Sequence, residues 1–214
     1  NENVELPKEL IEKWKKEGRY ELEMAELDAF FERTGYPRAP RFYIIKWLSD
    51  FVRDFGIDGF RADTVRHIEE EVWAEFKKEC ETAFADWKQQ NTDQILDDNK
   101  FYMVGEVYGY NIISSGKSFD FGDVKVNYYD HGFDSMINFE FKKSANENYE
   151  SVFSTYSDVL NNATSGFQVL NYLTSHDDGS PFDKERNKPY ETATKLLLSA
   201  GSVQVYYGDE SARG

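Results

Sequence analysis

The stretch GIDGFRADTVRH, Gly56 to His67, decides how the rest of the chain is read. A short apolar run punctuated by glycines closes on Arg61 and Asp63, and Arg66 and His67 follow at once. Residues two apart on a strand point to the same side, so a strand over IDGFRA ends with the guanidinium and the carboxyl facing together. Upstream, PRFYIIKWLSDFVRDFG repeats Phe42, Ile45, Leu48, Phe51, Val52 and Phe55 at helical spacing between Pro40 and Gly56, which predicts a helix with those residues inward. Downstream, TVRHIEEEVWAEFKKECETAFADWKQQ predicts one long amphipathic helix starting at Thr64. Its inner face is Val65, Ile68, Val72, Trp73, Phe76, Ala83, Phe84 and Trp87.

The same alternation continues to the end of the chain. FYMVGEVYG, SMINFEF, GFQVLNYLTSHDD and SVQVYYGDE read as strands; ENYESVFSTYSDVLN and YETATKLLLSAG read as helices, the second stopped by Gly201. A Gly-, Tyr- and Asp-rich loop runs from Tyr108 to about Asp130, and two shorter helices, LPKELIEKWKKEG and EMAELDAFFERTG, precede the opening stretch. Strands alternating with helices imply a parallel sheet with helical crossovers. Two architectures fit that pattern, an open doubly wound sheet and part of a (β/α)8 barrel, and both gather functional residues at the carboxyl ends of the strands.

Composition narrows the partners. The chain has 214 residues and 40% hydrophobic content, enough to bury a core. Its formal charge of −15 argues against nucleic acid and against an anionic membrane surface, and suits a neutral ligand. No run reaches the length of a membrane span. Cys80 is the single cysteine, so no internal disulfide can form, and on an apolar helix face it reads as packing. His131 has no second ligand at metal spacing and reads as a hydrogen-bonded loop residue, and DNK, DFGD and NTD lack the calcium-loop pattern. Neither a phosphate-binding glycine loop nor a nucleophile-elbow motif is present. Asn162-Ala163-Thr164 fits a glycosylation acceptor, a motif too common to carry weight.

Three strand tips carry acids: Asp63 after GFRA, Glu106 in VGEVYG, and Asp177 and Asp178 beside His176 in YLTSHDD. Any one alone reads better as a solvated loop residue or a helix cap. Together on one rim they repel one another, a cost that needs a use. Glycosidic cleavage is a chemistry that needs such a group. One carboxylate attacks the anomeric carbon, a second gives its proton to the leaving oxygen, and a third can grip the sugar hydroxyls. Arg61 is placed to favour an ionised attacker, and Val107 and Tyr108 flank Glu106 as a donor. Tyr108 and Tyr110 could stack on sugar faces or pack the loop.

GFRAD…RH, GEVYG and SHD, in that order, resemble three short segments of the α-amylase family of glycoside hydrolases, and SVQVYYGDE resembles that family's last barrel strand. The resemblance covers roughly residues 40 to 210. It implies a (β/α)8 barrel represented by about strands 4–8 with their helices, residues 36–214, after a remnant of an inserted domain and a lead-in helix at 1–35. It implies Asp63 as nucleophile, Glu106 as general acid/base and Asp177 as the third carboxylate. Arg61, Arg66, His67, His176 and Tyr108 are the implied substrate-binding residues. The backbone carbonyl of His67 is the implied ligand of a structural calcium in a full-length enzyme, the chemistry itself needing no cofactor. The expected partner is an α-glucan oligosaccharide or polysaccharide, cleaved at α-1,4 linkages with retention, in a secreted, periplasmic or cell-surface setting.

Ser175 stands where the family often has Asn, and Arg66 where many members have Lys. The family's Asp…Asn-His segment of the third barrel strand is absent, and five strands are predicted where a barrel closes with eight, so a fragment of a longer enzyme is expected. Rival readings are a transglycosidase or debranching relative, and an inactive carbohydrate-binding or scaffold relative.

Overall fold

The computed structural model describes residues 3–211. It comprises two compact units, one built from the chain up to Asp58 with Glu75–Phe101, the other from Gly59–Ala74 with the chain from Tyr102 onward. Among the described residues, no helix is long and apolar enough to cross a membrane.

The first unit holds helices α1 (Lys8–Lys16), α2 (Tyr20–Thr34) and α3 (Pro40–Phe55), and most of α4 (Glu70–Gln90). Pro40 opens α3 at a position where a missing N–H costs nothing. Gly56 ends it at φ +65°, and a Cβ there would lie 2.3 Å from the Trp87 ring. Leu27, Phe31, Phe42, Tyr43, Ile45 and Val52 are buried, with the Phe31 and Tyr43 rings edge to face at 5.1 Å. Two charges are buried with partners: Lys46 between Glu26 (2.9 Å) and Asp50 (2.7 Å), and Glu79 on Arg33 (2.6 Å). The apolar stripe predicted for α3 is only half used. Phe51 and Phe55 stack on each other at 6.0 Å but stay 50% and 69% exposed, because the stripe is wider than the surface this unit buries.

The second unit is built on a parallel sheet. Its elements are β1 (Gly59–Ala62), β2 (Tyr102–Gly105), α5 (Ile112–Ser115), the hairpin β3 (Phe119–Asp120) and β4 (Lys125–Val126), β5 (Ser135–Asn138), α6 (Phe141–Ser144), α7 (Tyr149–Asp158), β6 (Gln168–Tyr172), α8 (Pro189–Leu198) and β7 (Ser202–Gln204). The sheet order is β1-β2-β5-β6-β7, every pair parallel. Spatial order thus follows chain order with no reversal. A doubly wound sheet reverses at a switch point, whereas a barrel wall does not, so the order selects the barrel of the two architectures.

Two connections differ from the helices predicted. The chain does not enter a helix at Thr64. Thr64 takes a left-handed φ of 49°, a short 3-10 turn follows over Val65–His67, and α4 starts at Glu70, which leaves Ile68 exposed. The Trp73 indole donates to the Val65 carbonyl at 3.1 Å and holds that turn. α7 runs on into a π-helical turn, Val159–Ala163, and Thr164 of the glycosylation-like triplet is buried with its hydroxyl on the Val159 carbonyl.

The sheet buries apolar and polar residues on the face turned away from the rim residues described below. Met103, Met136 and Val169 are there, together with Asn138 and Asn171 at 0% exposure. The Asn138 amide donates to the Asn171 side chain (2.9 Å) and to the Tyr156 hydroxyl of α7 (3.0 Å), and Asn171 donates to the Ala200 carbonyl (3.0 Å). Gly201 adjoins this network at φ +114°, and a Cβ there would lie 2.8 Å from Asn171 Nδ2. Lys195 of α8 is buried too, donating to the carbonyls of Ala145 and Glu147 and to Glu191, which fastens α8 to the chain between α6 and α7.

Asn138→Ala leaves the buried Asn171 oxygen without its donor, at about 1–3 kcal/mol, and leaves the Tyr156 hydroxyl only its bond to Ser144 Oγ. The expected outcome is a lower urea midpoint with an unchanged slope; an unchanged midpoint would contradict the network's role. Burial pushes the phenols of Tyr110, Tyr128 and Tyr156 up to about 12 from an ordinary 10. The folded chain therefore keeps protons that the unfolded chain releases near pH 10. Stability is full below that pH and falls as pH rises from about 10 toward 12. Tyrosinate absorbance and unfolding midpoints followed over that range should change together.

Candidate active site

The carboxyl ends of the strands open on a cavity of about 690 Å3 in the second unit. Register explains its lining. Arg61 pairs with Val104, Val104 with Ser135, Ile137 with Leu170 and Tyr172 with Gln204, so Arg61, Val104, Ile137, Tyr172 and Gln204 share one face of the sheet. Val104, Ile137 and Tyr172 pack as a buried cluster at its base with Phe139 and Leu170 against them.

Of the residues singled out in the sequence, Arg61, Glu106, Tyr108, Ser175, His176, Asp177 and Asp178 line this cavity. Asp63 is not among the lining residues; it is bonded to one of them, Arg61, whose Nη1 donates to Asp63 Oδ1 at 2.6 Å. The charges are exposed to solvent, so the pair's value lies in geometry rather than stability. Glu106 is bonded to the residues on either side of Asp63. Its N–H donates to the Ala62 carbonyl (2.8 Å), its carbonyl accepts from Val65 N–H (3.0 Å), and its Oε2 accepts from Thr64 N–H (2.9 Å). The Thr64 backbone itself is left-handed. That conformation is rare for a β-branched residue and costs about 1–3 kcal/mol. Its location between Asp63 and Arg66 places the strain at the rim.

Arg66 donates to the Tyr108 carbonyl (3.3 Å), and its guanidinium lies 5.7 Å from the Tyr108 ring and 5.9 Å from the Phe119 ring. It thereby braces the loop after β2 against the hairpin. His67 is exposed in the 3-10 turn and takes no part in the cavity wall. Among the described residues, no group of three or more His, Cys, Asp or Glu is placed to hold a metal.

On the far wall, His176 Nε2 lies 2.9 Å from Asp177 Oδ2, and the Asp177 side chain is 79% exposed. Tyr108, Phe139 and Tyr172 form an edge-to-face row, with centroids 5.4 and 5.9 Å apart, between Glu106 and that wall. Burial, and then the neighbouring Asp178, Glu106, Tyr108 and Asp177, push the Tyr172 phenol well above its ordinary range. Tyr110 does not join the row. It is 1% exposed and its hydroxyl donates to the Gly116 carbonyl at 2.7 Å, which makes it loop packing.

Phe139, Tyr172 and Lys142 also line the cavity and were not anticipated from the sequence. A signal for the two aromatics exists in the two-residue alternation Ile137–Phe139 and Leu170–Tyr172, which carries the inner face to the strand tips. Lys142 sits in a helix of four residues and gives no periodic signal.

A family model described as alpha amylase, catalytic domain, matches residues 38–213. The periplasmic alpha-amylase of Escherichia coli (strain K12) is 41% identical over 176 residues, 81% of this chain and 24% of that protein. An alpha-amylase of Streptomyces lividans is 29% identical over 182 residues, 75% of this chain and 18% of that one. Among solved structures, an Anoxybacillus alpha-amylase superposes with a TM-score of 0.57 at 21% identity, covering 81% of this chain and 36% of its own. The alpha-amylase of Geobacillus thermoleovorans, complexed with acarbose, gives 0.55 at 20% identity, covering 81% and 37%. The chain therefore spans a minor part of each of these relatives, and its five-stranded sheet is part of a (β/α)8 barrel.

Proposed function

The chain belongs to the alpha-amylase family of glycoside hydrolases, and from that premise we propose that it carries the reacting carboxylates of an enzyme that cleaves α-1,4-glucosidic bonds in starch-like glucans with retention of configuration. In this reading Asp63 attacks the anomeric carbon as Glu106 passes its proton to the leaving oxygen. One C–O bond forms to the enzyme and one breaks to the departing chain. Glu106, now ionised, takes a proton from water, and that water's oxygen displaces Asp63 and restores both groups.

Arg61 supplies positive charge to the attacking carboxylate through its 2.6 Å contact. Asp177 and His176 hold the hydroxyls of the sugar at the cleavage point. The exposed Tyr108 ring, with Phe139 and Tyr172 edge to face behind it, offers an apolar surface of the kind on which a sugar face rests. Arg66 secures Tyr108 toward the reducing-end side. A segment of a longer catalytic barrel, working outside the cytoplasm as the periplasmic Escherichia coli relative does, fits the match to that protein.

The observation that supports this reading best is the bonding of Glu106 to Ala62, Thr64 and Val65, which holds the proposed donor against the residues flanking the proposed nucleophile. Glu106→Gln in the full natural protein should lower kcat on maltoheptaose by about 10²–10⁴-fold and leave oligosaccharide affinity within a few-fold. Turnover at the wild-type rate would refute the assignment. Shorter maltooligosaccharides alone among the products indicate hydrolysis, and products longer than seven glucose units indicate transfer.

A further inference from the structure

Asp177 and Asp178 are neighbours in sequence, yet their side chains are 79% and 4% exposed. The buried one is fully engaged. Asp178 Oδ2 accepts from Lys142 Nζ at 2.7 Å, and Oδ1 accepts from the Ser180 N–H at 2.9 Å. Lys142 comes from α6, the short helix that follows β5, so the ion pair ties the β6–α8 connection to the neighbouring connection of the barrel wall. Lys142 itself lines the cavity.

We propose that Lys142 and Asp178 are a positioning pair that sets the place of the loop bearing His176 and Asp177. The proposal rests on the reading of Asp177 as a carboxylate that grips the sugar. Its physical basis is that an exposed Asp177 has little packing to fix it, while the next Cα, 3.8 Å away, belongs to a residue that is nearly buried and bonded at both oxygens. The Asp178 N–H also reaches back to the Ser175 carbonyl at 3.4 Å, and the Phe182 N–H closes the loop on the Leu173 carbonyl at 3.2 Å. The loop is thus a short closed turn whose tie to a different strand's connection is made through Lys142. The ammonium also keeps a buried second carboxylate, one residue from Asp177, from standing uncompensated. Both residues line the cavity, and in the proposal both act through Asp177.

The test uses the full natural protein and two readouts, steady-state kinetics on maltoheptaose and backbone amide exchange over His176–Ser180. Asp178→Asn keeps shape and the Ser180 contact but loses the charge, and Lys142→Met keeps the stem and loses the ammonium. Each should lower kcat/KM by about 10²-fold, the loss expected when a group at the reaction centre is displaced by about 1 Å. The loss should fall mainly in kcat, and exchange over His176–Ser180 should speed up. Lys142→Arg keeps the charge and should recover most of both. Asp178→Asn is close to isosteric, so it carries the test if Lys142→Met does not fold. Wild-type kcat/KM in Asp178→Asn, a loss confined to KM, or a loss that Lys142→Arg does not relieve would each overturn the proposal. Glu106→Gln run alongside separates the two failures. Full activity in that variant removes the proposed function, and the ion pair is then judged by exchange alone, with wild-type exchange in Asp178→Asn overturning it.

Discussion

The hydrogen-bond ladder between β1 and β2 does not stop where the strands stop. It continues as Glu106 N–H to Ala62, Val65 N–H to Glu106 and Thr64 N–H to the Glu106 carboxylate, and the rest of the site depends on that extension. Two strands of four residues each could end in tips that splay apart. Three further bonds across the tips bring the chain on both sides of Asp63 to a single glutamate. The left-handed backbone of Thr64, which turns the following chain so that Val65 N–H meets the Glu106 carbonyl, is the cost of this arrangement.

The rest of the sheet keeps that rim in register. Parallel strands are buried on both faces, and here the two faces differ in character. Toward the cavity, Val104, Ile137 and Tyr172 form an apolar base, with Arg61 above them at the tip of β1. On the other face, Asn138 and Asn171 link adjacent strands to each other, to α7 and to the chain entering β7. Such a polar network fixes one register, because a shift by a single residue would leave every member unpaired.

The cavity gathers acids in a chain already strongly negative. Individual cations are assigned to individual acids: Arg61 to Asp63 and Lys142 to Asp178. This local pairing keeps carboxylates from separate strands on one rim without their mutual repulsion opening it. It also leaves Glu106 engaged by a backbone N–H from the connection that follows β1.

The alternation of helix and strand, the acids at the strand tips and the likeness of GFRAD, GEVYG and SHD to one enzyme family were all legible in the sequence, because periodicity and short motifs are local properties. Strand order was not, since nothing within a strand says which neighbour it takes, and only the order β1-β2-β5-β6-β7 separates a barrel wall from a doubly wound sheet. The break at Thr64 was also hidden, because Val65, Ile68 and Val72 repeat at helical spacing and the bond that overrides the helix comes from Glu106, 42 residues away. Tyr108 and Tyr110 look alike in sequence, and only tertiary packing sends one to the cavity and the other into the loop's interior. Local pattern determined which elements form and which residues stand at their ends. Contacts between residues far apart in the chain decided which of those residues meet, since the bonds that hold them draw on partners no local pattern contains.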